Sequence, residues 1–337
     1  MIDLRSDTVS RPTRAMRAAM ATAEVGDDVF GDDPSVNRLQ EKLAEMTGQE
    51  AGLFFPSGTQ ANLAALMAHC ERGEEFIIGS LGHSFKYEAG GAAVLGSLWP
   101  QPLEYEPDGT LALNKVAALI KPGDAHFAHT RLLVLENTQN GRVLPLVYIQ
   151  EAAAFAHRHG LNIHLDGARV FNAAVKLGVS VREVAQHFDS VSICLSKGLG
   201  CPVGTVLVGK CALIHKAHRT RKILGGGMRQ AGILAAAGLF ALNHHVERLA
   251  EDHANAKALA EGLAGIKHIK IDTAAVQTNM LFLQVTAEHA RPLAEHLKQV
   301  DILILPGANL RLVTHLDVSA ADVGRVITAF QEYFAGR

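Results

Sequence analysis

Cysteine is scarce in this chain. The four present (Cys70, Cys194, Cys201 and Cys211) show no paired spacing, which leaves neither a disulfide framework nor a thiolate metal motif to read. They are expected to be reduced and mostly buried, with Cys201 a small packing residue. Charge of one sign is also lacking: 32 Lys and Arg stand against 34 Asp and Glu, a net charge of −2. No basic run offers a footprint for nucleic acid, and nothing pulls the chain toward an anionic membrane. Long hydrophobic runs are missing too, since the longest, Ile233 to Leu242, is too short to span a bilayer. The first residues, Met1-Ile2-Asp3-Leu4-Arg5-Ser6-Asp7, are charged at once and hold no apolar signal core, so a cytoplasmic location is expected. No His-x-x-x-His or Cys-x-x-Cys pair occurs, and no catalytic metal is expected. What is present is a 337-residue chain that is 48% hydrophobic, enough for a substantial core and one large or two medium domains. Its expected partners are small metabolites.

Strand-type runs alternate with amphipathic helical patterns, which predicts an α/β fold with a mainly parallel sheet covered by helices. Strands are expected at Gly52–Phe55, Phe76–Gly79, Leu132–Glu136, Asn162–Leu165, Val191–Leu195 and Thr205–Val208. Helices are expected at Val36–Met46, Ala61–Cys70, Leu113–Ile120 and Ile149–His159, and a long one from about Arg229 past Ala260 with a break near His244. The pattern then changes to short strands at Ile269–Ile271, Met280–Val285, Ile302–Leu305 and Leu310–Thr314, with helices near Ala290–Gln299 and Ala320–Tyr333. The expected division is a large domain over residues 1–250, including the N-terminal segment 1–25, and a smaller α+β domain over 251–337.

Two strand ends carry chemistry. Ser192 to Leu195 is an apolar run that breaks at Ser196-Lys197-Gly198, and Leu161 to Leu165 leads into Asp166-Gly167-Ala168-Arg169. A lysine and an acid at the ends of two strands suit pyridoxal phosphate, which requires a Schiff-base lysine and an acidic partner for its pyridinium nitrogen. Each half alone is weak, because a strand ending in Asp and a Ser-Lys-Gly turn are both common. Phosphate signals strengthen the pair. Pro56-Ser57-Gly58-Thr59-Gln60-Ala61-Asn62 follows a strand and opens a helix, so its N–H groups would face an anion, although Ser57 or Thr59 as a plain helix cap would look much the same. Gly225-Gly226-Gly227-Met228-Arg229 offers a second flexible turn with a fixed positive charge. Gly198-Leu199-Gly200-Cys201-Pro202 lacks the full dinucleotide pattern, and Pro202 disfavours a helix start there.

With these residues assembled, the chain resembles the low-specificity L-threonine aldolases, fold-type I pyridoxal-phosphate enzymes related to the β-eliminating lyases. The matching stretches run nearly end to end: Asp3-Leu4-Arg5-Ser6-Asp7-Thr8, Val25 to Pro34, Ser57 to Asn62, Leu135-Glu136-Asn137-Thr138, His164 to Arg169, Ser196 to Gly200, Gly225 to Gln230 and Arg311 to His315. The resemblance implies Lys197 as the Schiff-base lysine, Asp166 at the pyridine nitrogen, Gly58 and Thr59 at the phosphate, and His83 stacked on the ring. It implies Ser6, Arg169 and Arg311 at the substrate carboxylate, and Arg229 reaching the phosphate of a neighbouring subunit. It also implies a homotetramer, a dimer of dimers with active sites at the dimer interface. Phe30 departs from the family, many of whose members have tyrosine there. The implied reaction is cleavage of an L-β-hydroxy-α-amino acid to glycine and an aldehyde.

For the β-hydroxyl proton the sequence offers His83 and His126, both at loop positions. The histidines at 157, 159, 244, 245, 253, 289 and 296 sit in polar helical contexts and are expected to be solvated. Arg169 as a structural ion pair and Arg311 as a surface charge are the plain readings of those residues. Two other functions remain open at this point: another pyridoxal-phosphate reaction on the same scaffold, such as transamination or β-elimination, and a noncatalytic metabolite-binding protein.

Overall fold

Runs such as Ser-Val-Ser-Ile-Cys at 190–194 and Thr-Val-Leu-Val-Gly at 205–209 are buried at every position, as strands covered on both faces must be. The computed structural model describes residues 1–335. Strand β1 (Ile2–Asp3) lies apart from a seven-stranded sheet made of β2 (Ala51–Phe55), β3 (Glu75–Gly79), β4 (Trp99–Leu103), β5 (Thr130–Glu136), β6 (Asn162–Asp166), β7 (Ser190–Cys194) and β8 (Thr205–Gly209). Their spatial order is β2-β8-β7-β6-β5-β3-β4. Pairs from β4 through β7 are parallel, and β8 runs antiparallel to both β7 and β2. The expected α/β class with a mostly parallel sheet is therefore what the chain adopts. One consequence matters for chemistry: the carboxyl ends of β2, β3, β5, β6 and β7 share a single edge with the start of β8.

Sequence reasoning missed β4, because Pro100 and Pro102 argue against a strand. Proline is tolerated there since β4 is the outermost strand and one of its sides needs no ladder partner. Helices α1 (Arg14–Ala21), α2 (Pro34–Thr47) and α3 (Gly58–His69) precede or follow β2. Asp33 caps α2 by accepting from Ser35 N and Val36 N, with Pro34 in the first turn, and Ser57 caps α3 by accepting from Gln60 N.

The long helix expected from Arg229 appears as Gly232–His244 and Leu249–Ala264. Its break at His244 has a cause: His245 is buried with Nδ1 2.8 Å from Leu199 O, a contact that a continuous helix would not place. His245 and His289, expected to be solvated, are both buried, and His289 Nδ1 meets the Tyr333 hydroxyl at 3.1 Å.

Beyond this point β9 (Lys270–Ile271), β10 (Met280–Gln284) and β12 (Asn309–Val313) form an antiparallel sheet, while β11 (Ile302–Leu303) pairs in parallel with β1. A second core forms here around Leu259, Leu263, Leu281, Leu312 and Phe330. Ile2 and Leu4 belong to it, while Met16 of α1 packs in the first core. The division expected at 250/251 falls inside the helix Leu249–Ala264, whose Leu249 packs in the first core and Leu259 in the second. Among the described residues no helix is long and apolar enough to cross a membrane.

At the edge opposite the strand carboxyl ends, His69 Nε2 and His164 Nδ1 each lie 2.7 Å from the Ser190 hydroxyl. Burial pushes His69 down to about 3 and His164 down to about 4. Unfolded, both would titrate near 6.5, so the unfolded chain takes up protons first as pH falls, and stability declines from about pH 6.5 toward pH 4 by up to about 1.4 kcal/mol per pH unit per histidine. Urea midpoints measured across this range should fall, and His164→Gln should flatten the slope. A midpoint independent of pH over that window would contradict the assignment.

Candidate active site

The shared strand edge gathers the chemistry. Asp166 ends β6, with Glu136 of β5 and Ser192 of β7 as its cross-strand neighbours. Lys197 follows directly on β7, Thr205 opens β8, and α3 starts at Gly58 just beyond β2. In open α/β sheets this carboxyl edge is where ligands bind.

Asp166 is 3% exposed and hydrogen-bonded twice, accepting from Asn62 Nδ2 at 2.9 Å and from Ala168 N at 3.1 Å. The same Asn62 amide donates to Glu88 Oε1 at 2.9 Å, and its oxygen accepts from Ser192 Oγ at 2.6 Å. Glu88 in turn meets His83 Nδ1 at 2.7 Å, and His83 N donates to Glu136 Oε2 at 3.0 Å. The chain of contacts orients the imidazole over the acid end of the cleft. The hydrogen bond His83 makes to Glu88 shifts the imidazole up, while burial shifts Glu88 up. Burial, reinforced by the charge of Asp166, raises Glu136 to about 7. Ligand atoms of His83, Glu88 and Asp166 lie within 4.8 Å of one another, a spacing a cation could use. Asn62 N–H₂ already donates to both carboxylates, which makes this a hydrogen-bonded acid–imidazole relay.

Lys197 is half-buried, and its amine makes no hydrogen bond or ion pair among the described residues. Toward β2, the first N–H groups of α3 lie at a helix N-terminus. Thr205 Oγ1 is buried with no partner, 3.6 Å from where a Cβ on Gly58 would sit. An open glycine, a helix N-terminus and an unpartnered hydroxyl form a donor set that fits a phosphate. With Lys197 and Asp166 on the neighbouring strands, the same edge fits the aldehyde and the pyridine nitrogen of pyridoxal phosphate.

At the remaining side stands Arg169, whose Nε and Nη2 bind Asp7 bidentately, both at 2.7 Å. Asp7 is fully buried and also accepts from Asn279 Nδ2 at 3.2 Å. Burial would push Asp7 up, but the Arg169 charge and hydrogen bonds outweigh it and hold it at about 2. The plain reading of Arg169 as an ion pair is thus part of the truth, and its Nη1 makes no hydrogen bond among the described residues. Arg311, on β12, is half-buried beside Arg169, and burial and that neighbouring charge shift it down. Its Nη2 donates to Arg5 O at 3.2 Å. Ser6 caps the short turn Asp7–Val9 next to the Asp7–Arg169 pair.

Two candidates are not brought to this cleft within the chain. His126 precedes β5 and so lies at the opposite edge of the sheet from Glu136, roughly 20 Å away by strand length. Its side chain is 86% exposed and paired with Asp124. Arg229 turns to Asp27 at 3.0 Å and is largely exposed. Phe30 projects into solvent at 75% exposure from the loop that carries Asp27.

Sequence reasoning assigned no role to Asn62, Glu88, Glu136 or Asp7. Asn62 had a usable signal, since it lies four residues after Gly58 and so one helical turn along the same face. Asp7 had none, because an acid near a charged N-terminus reads as solvated.

A family model described as beta-eliminating lyase matches residues 3–286. The chain is 55% identical over 335 residues to the low specificity L-threonine aldolase of Escherichia coli K12, covering 99% of this chain and 100% of that protein. It is 46% identical to low-specificity L-threonine aldolase 1 of Arabidopsis thaliana, covering 98% and 96%. Among solved structures, Leishmania major threonine aldolase superposes with a TM-score of 0.83 at 22% identity, covering 99% of this chain and 100% of that one. Serine palmitoyltransferase of Sphingomonas wittichii gives 0.78 at 20%, covering 99% and 87%; both likenesses speak to the fold.

Proposed function

The chain belongs to the beta-eliminating lyase family, and from that premise we propose a pyridoxal-phosphate-dependent aldolase that reversibly cleaves L-threonine, L-allo-threonine and related L-β-hydroxy-α-amino acids to glycine and an aldehyde. One observation carries this reading: an unpaired lysine amine, a buried aspartate and an open helix N-terminus converge on one sheet edge, beside two arginines.

When bound, pyridoxal phosphate supplies the sink for the electron pair left at Cα as the Cα–Cβ bond breaks. The chain's own groups do the rest. Lys197 provides the amine that holds the cofactor and exchanges with the substrate amine. Asp166, fixed by Asn62 and Ala168 N, holds a proton at the ring nitrogen. The Gly58 and Thr59 amides with Thr205 Oγ1 grip the phosphate. Arg311, the free Nη1 of Arg169 and Ser6 bind the substrate carboxylate, and this grip sets which Cα bond is aligned to break. His83, steadied by Glu88, takes the β-hydroxyl proton directly or through one water, which lets the aldehyde leave. Glycine is completed by a proton returned to Cα.

The cofactor-loaded protein should release glycine from both L epimers and none from the D forms, because one carboxylate grip fixes Cα while nothing here fixes the hydroxyl to one side. His83→Ala should slow both epimers, by ~10²–10⁴ if the histidine takes the proton, and change their ratio. Glycine release from D-threonine at a similar rate would overturn the reading.

We also propose a homotetramer with active sites at a dimer interface. The exposure of Phe30 and Arg229, on loops joined by the Arg229–Asp27 pair, supports this reading. Sedimentation should show no active monomer at assay concentrations.

A further inference from the structure

A cavity whose lining does not include Lys197 lies where the two units touch. The turn Gln139–Arg142 of the large unit docks on the second: Thr278 Oγ1 donates to Gly141 O at 2.8 Å, and Val143 N donates to Gln277 Oε1 at 2.7 Å. Beside these contacts is a cavity of about 440 Å³ walled by Leu81, Tyr105, Val276, Met280 and Phe282. Arg142 and Gln139 line it as well.

The polar groups of the cavity are unequal. Glu106 is already held by Lys115 at 2.6 Å, and Asp272 accepts from Ala274 N at 3.0 Å. Arg142 is half-buried, and its side chain makes no hydrogen bond or ion pair among the described residues. Asp108, the carboxylate it feels, is held by Thr110 N and Oγ1. Gln139 is 5% exposed, and its side-chain amide has no described partner. A guanidinium fork with no hydrogen bond or ion pair among the described residues and a side-chain amide free to bind, set against aliphatic and aromatic walls, complement a small organic carboxylate with an apolar body.

We propose that this cavity is a binding site for such a carboxylate, adjoining the catalytic cleft through Tyr105 and Phe282 but not lined by Lys197. Occupancy would be felt in the cleft. Phe282 lines the cavity and is the direct partner of Arg311 across the β10–β12 pair, and opposed residues of an antiparallel pair project to the same face. A ligand pressed on Phe282 therefore shifts the arginine assigned to the substrate carboxylate. This coupling rests on the proposed role of Arg311, whereas binding itself does not.

Isothermal titration of the cofactor-loaded protein with 3-phenylpropionate tests the site, with 3-phenylpropanamide as the uncharged control. The expected result is one saturable site per chain, with affinity at least tenfold weaker for the amide and at least tenfold weaker in Arg142→Gln. Val276→Trp, which fills the cavity, should abolish binding. Arg142→Gln should keep parental glycine release without the probe, whereas Val276→Trp, whose indole occupies the cavity permanently, should alter KM for L-threonine as the probe does; in the parent the probe should alter that KM without a purely competitive pattern. Absence of binding in the parent, equal binding in Arg142→Gln, or pure competition insensitive to Arg142 would each overturn the proposal, the last by placing the probe on Arg169 and Arg311. Saturable Arg142-dependent binding with no effect on KM would uphold the site and reject only the role given to Arg311.

Discussion

Lys197→Ala is expected to lower kcat for glycine release by roughly 10⁴-fold or more, the scale seen when an enzyme loses its nucleophile. Lys197 sits in the turn after β7, half-buried, and its amine holds no structural partner among the described residues. Its removal should therefore cost chemistry and leave the fold alone, with unfolding free energy within about 0.5 kcal/mol of the parent. Ser10 and Gly200 contact only its backbone oxygen, which the substitution keeps. Steady-state kinetics paired with urea unfolding separates the two effects. Turnover within tenfold of the parent would remove Lys197 from the mechanism.

Asp7→Ala should show the opposite profile, a loss of about 3–5 kcal/mol of stability, because it strands the buried Arg169 guanidinium without its counter-charge. Both oxygens of Asp7 are engaged by Arg169, and Asn279 adds a third donor. The pair also joins the two units, since Arg169 follows β6 while Asn279 precedes β10. Asp7 is held at about 2, below the ordinary 3.8, so its stabilisation is present above pH 3.8 and is lost as pH falls from there toward 2. Asp7→Asn keeps one accepting oxygen and should lose less than Asp7→Ala. In both variants KM for L-threonine should rise, because the fork that aims Nη1 has been loosened. A stability loss below 1 kcal/mol for Asp7→Ala would show that Arg169 finds another partner.

How far the sequence reveals this site depends on what each residue does. Lys197 and Asp166 are legible because each ends an apolar strand, and the parallel order then brings both ends to one edge. Gly58 and Thr59 are legible as a strand-to-helix turn, but the Thr205 hydroxyl facing them is not. Thr205 comes from the antiparallel strand β8, paired to β2 from about 150 positions along the chain, a proximity that only the sheet order creates. The relay of Asn62, Glu88 and His83 is hidden for the same reason: His83 is legible as a candidate, but its partners Glu88 and, from a separate helix, Asn62 each read locally as an ordinary polar residue. His126 is the reverse case. Residue type made it a candidate base, whereas its place before β5 puts it at the far edge. β4 was hidden by its prolines, a local rule overruled by an edge position.

If the carboxylate grip aligns the Cα–Cβ bond for cleavage, carbon labelling reveals it directly. L-threonine carrying ¹³C at both Cα and Cβ, incubated with the cofactor-loaded protein and followed by ¹³C NMR, should lose its one-bond carbon–carbon coupling as uncoupled glycine and acetaldehyde signals grow in equal amounts. Retention of that coupling in a four-carbon product, 2-oxobutanoate with release of ammonia, would show that a different bond is broken and would contradict the account.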